Sequence, residues 1–200
     1  MKTTQTDNHN LTAKLDLRRA LLNQLPAKHP LSVVDCFSGE SEAIWTQLRR
    51  EFNVGEYLAL DIKPKDRRLK LDSLRYLQNQ KWAHDVVDLD AYGSPWAHWF
   101  EVLKRGIDCT VFLTIGSVGF RRQQSEGLAA LGITFEIPGG LHGPVAEMVT
   151  DHCIGKALER FKIESCLEAM NPGGNARYIG LRLKKLSEKN AAKARDSVKA

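Results

Sequence analysis

Short apolar runs alternate with longer stretches of helical spacing along most of the chain. Seven runs are typical of strands: 31–36, 57–62, 69–71, 86–87, 110–115, 164–170 and 176–183. Five stretches predict helices: 11–25, 41–52, 73–77, 96–103 and 144–161. This alternation predicts an α/β fold with a Rossmann-like, doubly wound, mostly parallel sheet of seven strands. We expect helices on both faces and an antiparallel C-terminal hairpin, because a Pro-Gly-Gly turn joins the last two runs.

The composition fits one globular domain, since 42% of the 200 residues are hydrophobic and 26% are charged. The chain has no apolar run long enough to span a membrane and no signal-peptide core, so we expect a cytoplasmic protein without a membrane partner. The four cysteines are widely spaced, which favours reduced core thiols over disulfides or zinc ligands.

The net charge of +5 lies mainly near the C-terminus. Residues 184–200 include six basic and two acidic side chains, which gives +4 and leaves +1 for the remainder. A Lys/Ala/Ser-rich segment of this kind is typical of a disordered tail. We therefore predict a disordered N-terminus at 1–10, one domain at 11–183 and a basic tail at 184–200. Whether the tail is only solvated or contacts nucleic acid stays open at this point.

The first strand leads into a pattern typical of nucleotide binding. It ends in Asp35, and Phe37 and Gly39 follow before the next helix. A glycine turn between strand and helix lets a ligand approach the backbone and the N–H groups of the helix N-terminus. By itself the pattern also fits a simple strand-ending turn. Asp61 ends the second strand about 20 residues later, the spacing of a carboxylate that binds both hydroxyls of a ribose.

Asp72 and Ser73 directly precede the short helix that follows the third predicted strand. Aspartate is a preferred N-cap residue, so Asp72 fits a capping role as well as a ligand-binding one. The sequence leaves both roles open.

The fourth strand bears the most specific motif, and the segment from Asp85 to Pro95 has the sequence DVVDLDAYGSP. Its β-branched start suits a strand buried on both faces. Carboxylates are costly in an apolar core, but not at the carboxyl ends of parallel strands, where open α/β sheets bind ligands. The aromatic ring and the turn come next, and Ser94 and Pro95 suit the N-cap and first residue of a helix. We therefore expect chemistry here.

The eight residues from Asp88 to Pro95 resemble the catalytic motif of the tRNA guanine-N2 dimethyltransferase family. More broadly, they are similar to the Asp/Asn-Pro-Pro-Tyr/Phe motif of S-adenosylmethionine enzymes that methylate exocyclic amines. The order of elements over residues 31–183 is similar to that of the class I methyltransferases. Ala91 stands where these families have proline.

The resemblance implies an enzyme that uses S-adenosyl-L-methionine to methylate an exocyclic amine of a nucleobase, in RNA rather than DNA. Asp90 would accept hydrogen bonds from the amine, and Tyr92 would stack on the base. The implied cofactor-binding residues are Asp35, Phe37, Gly39, Asp61, Ile62, Asp72, Ser73 and Asp88. The implied substrate-binding residues are Pro95, Arg121 and Arg122, although a solvated loop also fits the two arginines. The histidines show no metal-binding spacing, and no oligomeric state is predicted.

Other interpretations remain at this stage. A binding module that has lost transfer is favoured by Ala91 and by Ser41, which replaces the second glycine of many methyltransferases. The intact acids Asp35, Asp61, Asp72 and Asp90 oppose this interpretation. A DNA methyltransferase is a further alternative. A nucleotide-dependent oxidoreductase is disfavoured because no Gly-x-Gly-x-x-Gly follows the first strand.

Overall fold

The computed structural model describes residues 10–26, 29–62, 70–79, 81–91, 95–116, 143–170 and 176–185. Within these ranges five helices alternate with six strands. The helices are α1 (Leu11–Leu22), α2 (Ser38–Glu51), α3 (Ser73–Gln78), α4 (Trp96–Arg105) and α5 (Gly143–Phe161). The strands are β1 (Leu31–Asp35), β2 (Val54–Ala59), β3 (Val86–Leu89), β4 (Cys109–Gly116), β5 (Ile163–Met170) and β6 (Ala176–Lys185).

The six strands form one sheet in the order β2-β1-β3-β4-β6-β5. The first four are parallel, whereas β6 is antiparallel to both β4 and β5. The chain runs from β1 outward to β2 and then returns to the other side of β1, as in a doubly wound fold. The mostly parallel sheet and its closing hairpin agree with the sequence prediction.

The predicted strand at 69–71 is wrong as a full strand. In the described part of this segment, Lys70 forms only an isolated parallel bridge with Asp61, and Leu71 N–H donates to the Asp61 carbonyl at 3.2 Å. The cap of α3 follows at once at Asp72, so no length remains for further strand pairing. The described sheet therefore has six strands rather than seven.

Two hydrophobic layers cover the two faces of the sheet, as alternating strand residues predict. On one face, α1 and α2 pack over a layer that includes Val33, Val86, Phe112 and Tyr178. On the other face, α3, α4 and α5 pack over a layer that includes Val34, Val87, Val111 and Leu113. Because period-two alternation places Asp88 on the same face as Val86, its carboxylate points toward α1 and α2.

Several element ends differ from the predicted ones. α1 ends at Leu22 rather than at residue 25, and α2 begins at Ser38 rather than at residue 41. β6 extends through Lys185, whose N–H donates to Asp108 Oδ1 at 2.9 Å, so residues 184 and 185 belong to the sheet and not to the tail. The remainder of the predicted tail, the predicted N-terminal segment 1–9 and the segment 117–142 lie outside the described residues.

The cysteines whose side chains are described, Cys36, Cys109 and Cys153, are free and buried. Burial raises the pKa of Cys109 to about 12 and that of Cys153 to about 11, so both are neutral thiols at physiological pH. No helix in the described ranges has both the length and the apolar character to cross a membrane.

Candidate active site

Asp35 and Asp88 lie side by side where the order of the strands reverses. β1 pairs with β2 on one side and with β3 on the other, and Asp35 is opposite Asp88 in the β1–β3 register. The backbone continues this pairing, since Cys36 N–H donates to the Asp88 carbonyl at 2.9 Å. Open α/β sheets bind ligands in the crevice beyond such a reversal, so these strand ends define the candidate site.

Neutral groups hold the carboxylate of Asp35. Its Oδ1 accepts a hydrogen bond from Phe37 N–H at 3.2 Å, and its Oδ2 accepts one from the Tyr57 hydroxyl at 2.9 Å. The residue is fully buried. Tyr57 lies on β2, so the hydroxyl ties the end of β1 to the strand beside it.

Gly39 is not a turn residue, which corrects the sequence prediction. It is the second residue of α2, and the connection from β1 consists of Cys36 and Phe37. A Cβ atom at Gly39 would lie 3.1 Å from Asp61 Oδ2, closer than most side-chain contacts. The first turn of α2 thus approaches the Asp61 carboxylate closely, and a larger residue at position 39 would require this carboxylate to shift by a few tenths of an ångström.

Ile62 follows Asp61 and leaves 55% of its surface exposed. A large aliphatic side chain with this exposure offers an apolar surface at the edge of the crevice.

The N-cap role of Asp72 is confirmed. Asp72 Oδ1 accepts hydrogen bonds from Leu74 N–H at 2.9 Å and Arg75 N–H at 3.2 Å. The hydroxyl of buried Ser73 lies 3.0 Å from Nε2 of His98 on α4. A ligand role for either residue stays a prediction.

His98 of α4 faces two of the predicted site residues, Ser73 and Phe37, and the sequence analysis missed it. Its ring centre is 4.6 Å from that of Phe37, and its Nε2 faces Ser73. Burial lowers the pKa of His98 to about 4, against smaller opposing effects of Asp72 and Glu101, so the imidazole is neutral at physiological pH. No sequence signal distinguishes His98 from a solvated histidine on an amphipathic helix.

Two direct side-chain partners, one of them cationic, hold the carboxylate of Asp88. Arg18 of α1 donates from Nε to Oδ2 at 2.8 Å and from Nη2 to Oδ1 at 2.7 Å. Trp45 Nε1–H of α2 donates to Oδ2 at 2.7 Å. Asp88 is fully buried, and these contacts give it an architectural role. Its cofactor role stays a prediction.

Arg18 is buried together with its partner. Burial opposes its charge, but the attraction and hydrogen bonds of Asp88, with smaller attractions from Asp90 and Asp35, raise the pKa of Arg18 above its ordinary value. The guanidinium also lies over the Phe112 ring, 5.0 Å from its centre. Arg18 is therefore a permanent cation in the floor of the site.

Lys14, one turn before Arg18, holds Asp90. Its ammonium nitrogen lies 2.7 Å from each carboxylate oxygen, and the side chains of Lys14 and Asp90 are only 8% and 4% exposed. Arg18 Nη2 lies 3.9 Å from Asp90 Oδ2, so one network joins both acids. The predicted catalytic carboxylate is thus paired with a cation of the first helix.

A backbone hydrogen bond closes the turn after β3. Ala91 N–H donates to the Leu89 carbonyl at 2.8 Å, with Asp90 at the centre of the turn. Proline has no N–H and is unable to make this bond. Pro95 is buried and is the N-cap of α4 rather than its first residue, which shifts the predicted helix start by one position.

Three predicted site residues, Tyr92, Arg121 and Arg122, lie outside the described residues. Within the described ranges, no group of three or more His, Cys, Asp or Glu side chains is placed to hold a metal ion. The structure does bring together Asp35, Asp61, Asp88 and Asp90 with Phe37 and Gly39. The acids and Phe37 lie at the carboxyl ends of neighbouring strands or in the connections that follow, and Gly39 lies in the first turn of α2.

Apart from His98, the side chains that sequence reasoning missed are donors to these acids: Lys14, Arg18, Trp45 and Tyr57. For Lys14 and Arg18, the sequence contained one signal of their role. Lys14 and Arg18 are four residues apart in a helix whose other residues on that face include Leu21 and Leu22. Two cations within an apolar helical stripe indicate buried acidic partners.

No family model matches the sequence, and neither does any curated protein. Among solved structures, Trm1 from Pyrococcus horikoshii, determined with S-adenosyl-L-methionine, matches 92% of this chain with a TM-score of 0.63 and 15% identity. This likeness shows that the two chains share one fold. The chain spans 58% of the length of that Trm1 chain.

Two other solved structures are less similar, with TM-scores below 0.5. An O-methyltransferase family protein from Burkholderia thailandensis has a TM-score of 0.43 and 14% identity over 88% of this chain and 59% of its own. A variant of the 16S rRNA (adenine(1408)-N(1))-methyltransferase from Catenulisporales acidiphilia has a TM-score of 0.42 and 12% identity over 93% of this chain and 95% of its own.

Proposed function

We propose that this protein is an S-adenosyl-L-methionine-dependent methyltransferase that acts on an exocyclic amine of a nucleobase, in RNA rather than DNA. The observation that carries the proposal is the β1–β3 register. It sets the strand that ends in the predicted cofactor motif beside the strand that ends in the predicted amine motif. Donor and acceptor sites would therefore meet at one point of the sheet.

The cofactor side supports this proposal through three features. Asp61 would bind the ribose hydroxyls, and Gly39 leaves room for its carboxylate. The exposed face of Ile62 would pack against a purine ring. Neutral His98, Ser73 and Phe37 form one wall of the crevice, where a planar base would find an apolar surface and hydrogen-bonding groups.

The acids at these strand ends also favour a cationic ligand. Asp35 and Asp88 end neighbouring strands, and Asp61 and Asp90 lie just beyond the ends of β2 and β3. The methyl donor is a sulfonium cation. Carboxylates attract such a cation, and the attraction is stronger where water is excluded.

Asp90 would act on the acceptor. Methyl transfer from a sulfonium needs an aligned nucleophile more than acid-base help, so catalysis depends mainly on positioning. A carboxylate that accepts hydrogen bonds from the amine directs its lone pair at the methyl carbon. Trm1, by its printed description, binds S-adenosyl-L-methionine, which is consistent with this cofactor.

The test measures donor binding first and transfer second. Calorimetry with S-adenosyl-L-methionine should show binding by the parent protein, and labelled donor should then transfer its methyl group to bulk RNA. Asp90→Asn should lower the transfer rate on the order of a hundredfold and change donor affinity little. Asp16→Asn, at an exposed acid of α1, is the matched control and should retain the parent rate.

A binding module is the second candidate, because cations of the protein already occupy both β3 carboxylates. Donor binding without transfer to RNA, DNA or protein would favour this candidate. Absence of donor binding by the parent protein would remove the cofactor from the proposal, and transfer to DNA alone would change the acceptor.

A further inference from the structure

The first helix reaches the candidate site with two side chains on one face. Lys14 and Arg18 are four residues apart, and both are buried. Arg18 Nη1 also donates to the Lys14 carbonyl at 3.1 Å, which fixes the two side chains relative to each other. α1 precedes the β1–α2 unit that begins the nucleotide-binding part of the fold, yet its cations contact the end of β3.

The ammonium of Lys14 binds Asp90 symmetrically. It lies 2.7 Å from each oxygen and 5.3 Å from the centre of the Tyr178 ring on β6. A carboxylate has about four acceptor positions, two on each oxygen. Among the described residues, Lys14 occupies one position on each oxygen, which leaves positions for the hydrogens of an amine.

On the basis of the proposed function, we propose that Lys14 is a positioning residue for methyl transfer. It fixes the direction of the Asp90 carboxylate toward the acceptor amine. In the transfer step, the amine nitrogen forms a bond to the methyl carbon with its lone pair. The C–S bond breaks with its electron pair left on sulfur, which becomes a neutral thioether. The amine then loses one proton to solvent through Asp90.

The charged and titratable groups around Asp90 in the described residues come from four elements. α1 supplies Lys14 in direct contact and Arg18 at 3.9 Å. β3 supplies Asp88, which Arg18 neutralises, and β6 supplies Tyr178 beneath the ammonium. Asp35 of β1 acts at longer range through Arg18. Lys14 is the charged group in closest contact with Asp90, so its loss should disturb the orientation of this carboxylate more than the loss of any of the others.

The experiment compares Lys14→Met, which keeps the length of the side chain without its charge, with Lys14→Arg. Lys14→Met should lower kcat roughly ten- to a hundredfold and leave the donor KM nearly unchanged. Lys14→Arg should recover most of the rate. Arg19→Met removes a cation from the solvent side of the same helix and should match the parent.

Two outcomes would overturn the inference. A higher kcat for Lys14→Met would show that the Lys14–Asp90 pair blocks the site. A lower kcat accompanied by a changed donor KM, with no recovery by Lys14→Arg, would show a purely structural role.

A second readout needs no activity. Crystal structures of the parent and of Lys14→Met should show the Asp90 carboxylate in one orientation in the parent and in a different orientation, or several, in the variant. If the parent transfers no methyl group and this difference is present, the proposed function fails while the control of Asp90 by Lys14 stands. An identical orientation of Asp90 in both proteins would refute the inference whether or not the protein is active.

Discussion

The acids at the carboxyl end of the sheet are held in two different ways. On the proposed cofactor side, the buried carboxylate of Asp35 accepts hydrogen bonds from a tyrosine hydroxyl and a backbone N–H. At the end of β3, on the proposed acceptor side, Asp88 and Asp90 are bound by a guanidinium and an ammonium. The described donors to Asp35 come from β2 and the β1–α2 connection, whereas those to Asp88 and Asp90 come from α1 and α2.

The difference determines what the loss of a donor should cost. A hydroxyl or a backbone N–H contributes an ordinary hydrogen bond to a carboxylate. A buried carboxylate that loses a cationic partner is left as an uncompensated charge, which is far more costly. Removing a donor should therefore destabilise the protein more at the end of β3 than at the end of β1.

The largest effect should follow from removing the cation of the acceptor side. Arg18→Met leaves Asp88 buried with Trp45 as its remaining direct side-chain partner, and breaking a buried pair costs roughly 3–5 kcal/mol of unfolding free energy. Chemical denaturation would measure this loss. Arg19→Met, whose cation is partly exposed, should cost far less. Equal losses for both variants would show that burial of the Arg18–Asp88 pair adds nothing to the cost of breaking it.

On the cofactor side, the effect should appear in ligand affinity rather than in stability. Asp61→Ala should weaken donor binding about ten- to a hundredfold, because a charge-assisted hydrogen-bond pair is lost. Gly39→Ala should weaken it less, since its new methyl group would displace the Asp61 carboxylate at 3.1 Å. Calorimetry would show both changes. Parent-like affinity in Asp61→Ala would remove this acid from the site.

The cofactor side should also respond to acid through His98. Its folded pKa of about 4 lies below the usual value of about 6.5, so the unfolded chain binds a proton that the folded protein does not. Stability should fall as the pH drops from about 6.5 toward 4, by roughly 1–3 kcal/mol.

Thermal midpoints between pH 7 and 5 would measure this acid response. The thermal midpoint should depend less on pH in His98→Gln than in the parent. Part of the pH dependence should remain in this variant, because burial also lowers the pKa of His84. Exposed His29 offers the control, because His29→Gln should retain the parent slope.

The smallest effect concerns the turn after β3. Ala91→Pro removes the N–H that donates to Leu89, so it should cost about 1 kcal/mol rather than stabilise the loop. Ala91→Ser keeps the N–H and is the matched control. A thermal midpoint above that of the parent in Ala91→Pro would show that the family proline fits this turn after all.

The sheet was predictable because its signals are local. Runs of β-branched residues, the αL residue Gly106 after α4 and the capping Asp72 each depend on neighbours in the sequence. The two wrong predictions, a strand at 69–71 and a turn at Gly39, depend on neighbouring elements. The described residues 70 and 71 lie directly before the N-cap of α3. Gly39 lies in α2 beside Asp61, which is 22 residues away in the chain.

Of the candidate site, only the positions of the acids were predictable. Asp35 ends β1 and Asp90 directly follows β3, and open α/β sheets bind ligands beyond such strand ends. The donors that bind these acids were not predictable from the strand pattern. Lys14, Arg18 and Tyr57 come from other elements. Only the tertiary packing of those elements decides which donor reaches which carboxylate.

The pairing of α1 with β3 also determines the order in which the chain can mature. Arg18 and Asp88 are 70 residues apart, and Lys14 and Asp90 are 76 apart. During synthesis α1 leaves the ribosome before β3, so its two cations find their partners only after β1, α2, β2 and α3 have followed. Contacts of such long range form late, after the loop between them has closed. We therefore expect the side chains of α1 to reach their final positions late in folding, and the candidate site to be completed at that step.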